Sequence, residues 1–337
     1  MSAFVALLVV VAGGLVAAPA ASADSGGDVV DSALRPTVTR IAGADRYELA
    51  ARLALETAPA GARTVYVASG ANYPDALSAG PAAVHRGAPL LLVQPTAFPA
   101  VARSALVALA PTSVIVVGGP LSVSDAVLAE ISAAVPRAGV ARVSGADRYE
   151  GSRAVIRDAF PGGASVAFVA TGRSFPDALS AGAAAGTSDL PVLLVDGALP
   201  GVDIPTESFL GSLRTTTAVL VGGTSSVSAE AEFALKLTRD VQRIDGVDRY
   251  RVSQALNARV LQDFSRVYLV TGENFPDALA GGVLAGTRHN PLFVVPGTCV
   301  PRGVLSQLDA NGTSQVVLLG GTASLSADVA ALTPCAW

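Results

Sequence analysis

Three short motifs recur in the same order, three times, along a chain of 337 residues. "RIAGADRYELA" starts at Arg40, "RVSGADRYEGS" at Arg142 and "RIDGVDRYRVS" at Arg243, steps of 102 and 101 residues. "NYPDALSAG" (Asn72–Gly80), "SFPDALSAG" (Ser174–Gly182) and "NFPDALAGG" (Asn274–Gly282) follow with nearly the same step. A Gly-Gly motif closes each repeat: "VIVVGGPLSVS" from Val114, "AVLVGGTSSVS" from Ala218 and "VVLLGGTASLS" from Val316. Self-similarity at a fixed period means that one structural plan is built three times. A catalytic motif normally occurs once. Three copies suit a repeated binding surface or a repeated structural joint.

Within one repeat the pattern alternates. A short strand around Arg40–Ala42 leads to an apolar-periodic helix from about Asp45 to Glu56. "TVYVAS" reads as a buried strand, Pro74 to about Val84 as a helix, and "PLLLV" (Pro89–Val93) as the next strand. A helix near Ala100–Leu109, the strand "SVIVVGG" and a helix from about Ser124 to Ala133 complete the unit. Short apolar runs between helix-length segments predict parallel strands joined by crossover helices. Right-handed crossovers place helices on both faces of the sheet. The expected fold class is α/β: three layered units, each with a small, mostly parallel sheet. Charged residues are only 15% of the chain, against about 25% in ordinary domains. That suits sheets buried on both faces and large interfaces between units. Ligands of such sheets bind outside the carboxyl ends of the strands, so the PDAL and Gly-Gly loops are expected on one edge.

The leader "MSAFVALLVVVAGGLVAAPAASADS" has an apolar core, Phe4–Ala18, and a small-residue cleavage site at Ala21-Ser22-Ala23. It predicts an export signal over residues 1–23 and a linker over 24–37. The alternative, a membrane anchor, needs about 20 apolar residues, more than the core supplies. No membrane association is expected once the signal is removed. In an exported chain, Cys299 and Cys335 read either as a disulfide closing a 36-residue loop or as two buried thiols. His85 and His289 show no ligand spacing with them, so no metal site is expected. A net charge of −4 supplies no basic field for nucleic acid. The Gly-Gly loops continue neither as G-x-G-x-x-G nor as G-x-x-x-x-G-K-[ST], so no cofactor is expected. No G-x-S-x-G elbow occurs, and no catalytic residue stands out.

The repeated residues carry paired readings. Proline at the first helical position of PDAL costs nothing, because its missing N–H has no intrahelical partner. Asp75, Asp177 and Asp277 then lie in the first turn and complement the helix dipole; the alternative is a ligand-facing or joint-forming carboxylate. Tyr73, Phe175 and Phe275 are expected to pack on apolar surface near a neighbouring unit. Asp45 with Glu48, and Asp147 with Glu150, form capping boxes; the third copy has Arg251 in place of the acid. Capping does not account for Arg46, Arg148 and Arg249. Each is either one half of an ion pair, with the PDAL aspartate as candidate partner, or an anion ligand. Gly118-Gly119, Gly222-Gly223 and Gly320-Gly321 permit positive φ and close backbone approach, and with the next helix start could cradle an anion. The serines that follow (Ser122 and Ser124, Ser226 and Ser228, Ser324 and Ser326) read as helix caps.

Taken together, R-x-x-G-x-D-R-Y, G-x-x-[YF]-P-D-A-L, the Pro-led strand and the Gly-Gly loop resemble the cell-wall-binding repeat type 2 family of Gram-positive surface proteins. The Pro-led strand occurs at Pro89-Leu90-Leu91-Leu92, at Pro191-Val192-Leu193-Leu194 and, with a departure to Phe293 and Val294, at Pro291-Leu292-Phe293-Val294. The resemblance runs from about Thr37 to the C-terminus. It implies three tandem Rossmann-like repeats, 38–140, 141–241 and 242–337, packed around a pseudo-threefold axis. It implies secretion, a place at the cell wall or surface, and non-covalent attachment to an anionic wall polymer, teichoic-acid-like or another wall polysaccharide. Members of the family usually join the triplet to an effector such as a peptidoglycan hydrolase or adhesin, for which this chain is expected to have no room. A bare wall-binding module, a fragment, and a modifier of a separate wall hydrolase all remain open. So does a different class, an exported wall-glycan hydrolase using carboxylates such as Asp75 or Asp177.

Overall fold

Strands and helices alternate along the chain. The computed structural model describes residues 35–260 and 262–337; the expected export signal and most of the expected linker lie outside the described residues. The first repeat runs β1 (Thr37–Ile41), α1 (Arg46–Thr57), β2 (Thr64–Ser69), α2 (Pro74–His85), β3 (Leu90–Val93), α3 (Ala100–Leu109), β4 (Ser113–Val117) and α4 (Asp125–Ala134). The second runs β5 (Gly139–Val143), α5 (Arg148–Ala159), β6 (Val166–Thr171), α6 (Pro176–Thr187), β7 (Val192–Val195), α7 (Ile204–Ser212), β8 (Thr217–Val221) and α8 (Ala229–Lys236). The third runs β9 (Asp240–Ile244), α9 (Arg249–Asn257), β10 (Arg266–Thr271), α10 (Pro276–Thr287), β11 (Leu292–Val295), α11 (Arg302–Ala310), β12 (Gln315–Leu319) and the single turn α12 (Ala327–Ala330).

The strands form three four-stranded sheets, ordered β3-β2-β4-β5, β7-β6-β8-β9 and β11-β10-β12-β1. Every pairing is parallel. Each sheet therefore takes its fourth strand from the motif that opens the next repeat. For the third sheet that strand is β1, from the other end of the chain: Thr37–Ile41 lie in register with Gln315–Leu319. The ring of repeats closes without a covalent link at this seam. The sequence period is thus offset by one strand from the sheet it helps to build.

Both faces of each sheet are covered, as the unbroken apolar runs require. In β2, Tyr66 and Ala68 join the core shared by the three repeats, whereas Val65 and Val67 join the outer core of the first repeat. At the centre α2, α6 and α10 pack pairwise against one another. Gly80, Gly182 and Gly282 face Val283, Pro81 and Ala183 across these contacts, so small residues set the close approach. The first helix of each repeat packs on the central helix of the previous one: α5 on α2, α9 on α6 and α1 on α10. The same helices cover the edge strands β7, β11 and β3. There Ser152 Oγ accepts from Leu194 N at 3.0 Å and Ser253 Oγ from Val294 N at 3.0 Å, satisfying backbone donors that an open edge would leave bare.

Helix starts follow the capping pattern. Asp45 accepts from Tyr47 N and Glu48 N, while Glu48 Oε2 accepts from Ala44 N; Asp147 and Glu150 do the same. In the third copy Asp248 accepts from Arg251 N alone. Cys299 and Cys335 are disulfide-bonded, and Val300 pairs with Pro334 beside them. The last residue, Trp337, rests near Tyr250 with ring centroids 6.2 Å apart. Among the described residues no helix is long and apolar enough to cross a membrane.

Candidate functional site: three grooves between repeats

In the order β3-β2-β4-β5 the connections step first to one side of β2 and then to the other while every strand stays parallel, and the PDAL and Gly-Gly loops leave β2 and β4 at that switch, from the carboxyl edge of the sheet. Because α2, α6 and α10 start there, their N-terminal ends converge on the axis. Tyr73, Phe175 and Phe275 meet as a triangle with centroid separations of 5.9, 5.7 and 5.8 Å, tilted or edge-on as aromatic quadrupoles prefer.

Each repeated arginine belongs to this corner and crosses a seam. Arg148 lies over Tyr73, Arg249 over Phe175 and Arg46 over Phe275, at 5.8, 5.6 and 5.7 Å from the ring centroids. Each ring belongs to the preceding repeat around the ring. Each Nη1 also donates to a glycine carbonyl of its own repeat: Arg46 to Gly70 at 2.8 Å, Arg148 to Gly172 at 2.6 Å, Arg249 to Gly272 at 2.5 Å. An added Cβ on these glycines would meet Tyr47, Tyr149 and Tyr250, which accounts for the tyrosine of D-R-Y. The ion pair between these arginines and the PDAL aspartates does not form as a direct contact. The guanidinium is taken up by a carbonyl and a ring instead; Arg249 and Arg46 act on Asp177 and Asp277 only through their field.

The aspartates turn to the Gly-Gly loop. Ser226 Oγ donates to Asp177 Oδ2 at 2.5 Å, and a Cβ on Gly118 or Gly320 would fall between Asp75 and Ser122 or between Asp277 and Ser324. In the second repeat the first serine is therefore a carboxylate partner rather than a cap, and in the other two repeats it faces the same carboxylate across the loop glycine. The second does cap in two copies, Ser124 to Val127 N and Ser228 to Ala231 N, and not in the third. Gly118, Gly222 and Gly320 have φ of 112°, 101° and 122°, and a Cβ on any of them would collide with the PDAL carboxylate. Gly119, Gly223 and Gly321 face open space. Burial pushes the Asp177 and Asp277 carboxyls above their usual range, against the smaller opposing pull of the serine bonds and of Arg249 and Arg46.

The first arginine of R-x-x-G was not singled out from the sequence, yet it locks the loop. Arg40 Nη1 donates to Gly320 O and Gly321 O, and its Nη2 to Leu325 O. Arg142 bonds Gly118 O and Asp125, and Arg243 bonds Gly222 O, Val227 O and Glu232. Its presence in all three copies of a charge-poor chain was the available signal.

Between these corners lie grooves. The one between the third and first repeats has a volume of about 290 Å³. Its walls are the Gly43–Arg46 turn on one side and Asn274, Asp277 and the Gly321–Ser324 loop on the other. At the other two seams the same turn faces the preceding repeat through Arg148 over Tyr73 and Arg249 over Phe175. Each seam offers one guanidinium fixed through Nη1, with Nε and Nη2 making no hydrogen bond to described residues. That is a preformed donor for an anionic oxygen. The carboxylate opposite lies against the Gly-Gly loop, and Asp277 also forms part of the groove wall.

The family model described as Cell wall binding domain 2 (CWB2) matches residues 40–128, 142–232 and 243–330. A protein of Bacillus subtilis (strain 168) named "Amidase enhancer" is 29% identical over 291 residues, covering 86% of this chain and 39% of that protein. The N-acetylmuramoyl-L-alanine amidase LytC of the same organism is 26% identical over 294 residues, covering 87% of this chain and 57% of that one. The chain thus spans less than two thirds of either relative. Among solved structures, Cwp6 from Clostridium difficile superposes with a TM-score of 0.78 at 24% identity, over 88% of this chain and 48% of that one. Cwp8 from the same organism gives 0.76 at 22% identity, over 87% and 50%. At these identities the two structures speak for the fold.

Proposed function

The chain belongs to the cell wall binding domain 2 family, and from that premise we propose that it is a secreted, non-catalytic module that holds an anionic wall polymer in its three inter-repeat grooves. The observation that carries this reading is the guanidinium of Arg46, Arg148 and Arg249, fixed on one side and unbonded on the other at each seam. A repeating polymer presents its anions in series. Engaging three weak sites at once raises avidity by roughly 10²–10⁴ over one site, which gives the threefold plan a use that needs no catalytic group. The aromatic triangle and the PDAL aspartates act as the joint that sets groove shape.

A second role, modifying a separate wall hydrolase, is favoured by one specific finding: a relative over most of this chain is named an amidase enhancer. The test of the primary reading is incubation of the purified protein with isolated walls. Protein pelleting with the walls, without release of soluble sugar, is the expected result. Sugar release that tracks the protein, and that an Asp75→Asn variant abolishes, would make it a hydrolase.

A further inference from the structure

The opposite ends of the sheets carry a feature that the threefold plan does not repeat. Where the first and second repeats meet, at the amino edge of the strands, lies a cleft of about 650 Å³. Its first-repeat wall carries Arg63, His85 and Arg86; its second-repeat wall is Phe160 and the Gly162-Gly163 turn. A fourth basic group borders it: Arg214 Nη2 donates to Gly162 O, and a Cβ on Gly163 would come within 3.1 Å of the Arg214 guanidinium.

The three repeats act as internal controls. At the positions of Arg63, His85, Arg86 and Arg214, the seam between the second and third repeats has Ser165, Thr187, Ser188 and Gly312. The seam between the third and first has Ser265, Thr287, Arg288 and Ala110. Four basic residues at one seam thus face none and one at the others. (Arg266, one position along in the third repeat, is tied to Gln315.) Joining the repeats does not require such a cluster, since the other two seams close without it.

The charges do not cancel locally. Arg86 pairs with Asp158 at 3.2 Å. His85 Nδ1 lies 2.7 Å from Asp189, its ring stacked on Phe160 at 4.0 Å, which leaves Nε2 unbonded. Arg214 has only a carbonyl, and the exposed Arg63 side chain has no hydrogen bond or ion pair among the described residues. Two guanidinium charges are left over, in a chain whose net charge is −4. Planar forks approaching from two repeats suit an anion with oxygens in several directions, and phosphate fits that better than a planar carboxylate. The volume is in the range of sites for small organic ligands, more than a bare phosphate ion fills.

We propose that this cleft is a second, single-copy site for a phosphate-bearing group about the size of a sugar phosphate. The phosphate sits between Arg63 and Arg214, and the free edge of His85 meets the sugar or the phosphate. The group comes either from a soluble phosphorylated sugar or from a phosphodiester of a wall polymer.

The test titrates the full chain with glucose 6-phosphate, and with glucose as the uncharged control, by calorimetry. Binding of the phosphate form only is expected. Arg63→Gln, a fold-safe change because that exposed side chain makes no hydrogen bond or ion pair among the described residues, and Arg63→Gln with Arg214→Gln should weaken it by about tenfold or more. Arg46→Gln, at the other end of the molecule, should leave it within about twofold. Equal binding of glucose, no binding of either sugar, or a loss as large with Arg46→Gln as with Arg63→Gln would overturn the site. Wall pelleting of the double variant separates the two sources: retained pelleting points to a soluble ligand, reduced pelleting to a polymer phosphodiester. Because the grooves are tested through Arg46 and its counterparts, failure of either site leaves the other standing.

Discussion

The two glycines of each Gly-Gly loop have different tasks. Gly118 has φ of 112° and no room for a Cβ beside Asp75, whereas Gly119 faces open space. Gly118→Ala should cost about 1–3 kcal/mol of stability, and Gly119→Ala should fall within about 0.5 kcal/mol of zero, both read from denaturant melts. Equal effects would remove the assigned division. The PDAL carboxylates give a pH prediction. Burial raises the folded-state pKa of Asp177 above its unfolded value, so the folded protein holds that proton more tightly. Its contribution favours folding when protonated and is lost as pH rises from the ordinary carboxylate range through the raised value. Asp177→Asn keeps the size and an acceptor for Ser226. Its melting temperature should equal or exceed that of the parent at pH 7.5, with the advantage shrinking toward pH 4. A lower melting temperature at pH 7.5 would mean that the joint needs the charge. The arginine is where sequence reasoning fell short. A guanidinium near an aspartate that recurs in all three repeats reads as an ion pair, but the carbonyl of Gly70 and the ring of Phe275 that hold Arg46 come from a loop and from another repeat, and neither is coded by local spacing. Arg249→Ala should lose about 1–3 kcal/mol, for one charge-assisted hydrogen bond and one cation–π contact.

At the level of elements, the alternation of strand and helix was legible because each strand is a short apolar run bounded by turn residues. "TVYVAS" and "PLLLV" place β2 and β3 to within a residue, and Pro74 places the start of α2. Which sheet β1 joins was not legible. Nothing in Thr37–Ile41 says that its partner lies at Gln315–Leu319, because parallel pairing leaves no local turn signature. That strand is an edge held by backbone bonds and by the grip of Arg40 on the Gly320–Gly321 loop. A chain beginning at Ala42 should keep the first two sheets and leave one side of β12 uncovered. Hydrogen exchange should then quicken in β12 and in Thr37–Ile41's former partners while β2, β4, β6 and β8 stay protected. Uniform loss of protection across all three sheets would show that the ring folds only as one unit.

On the scale of the whole molecule, one surface is made three times and then modified. The aromatic triangle and three guanidiniums are equal within a few tenths of an ångström in their centroid distances, while the four-residue basic cluster at the amino edge and the disulfide each occur once. The equal parts suit a repeating polymer, and the proposed function has each groove contribute to the same avidity. That claim is tested most directly by a graded series: Arg→Gln at one, two and three of Arg46, Arg148 and Arg249, each variant checked for an intact fold and measured for pelleting with isolated walls. Three grooves acting in series predict that any single change weakens attachment to a similar extent, and that each further change multiplies the loss, ending roughly 10²–10⁴ below the parent. Unchanged attachment in the folded triple variant, or a full loss carried by one arginine alone, would contradict the account.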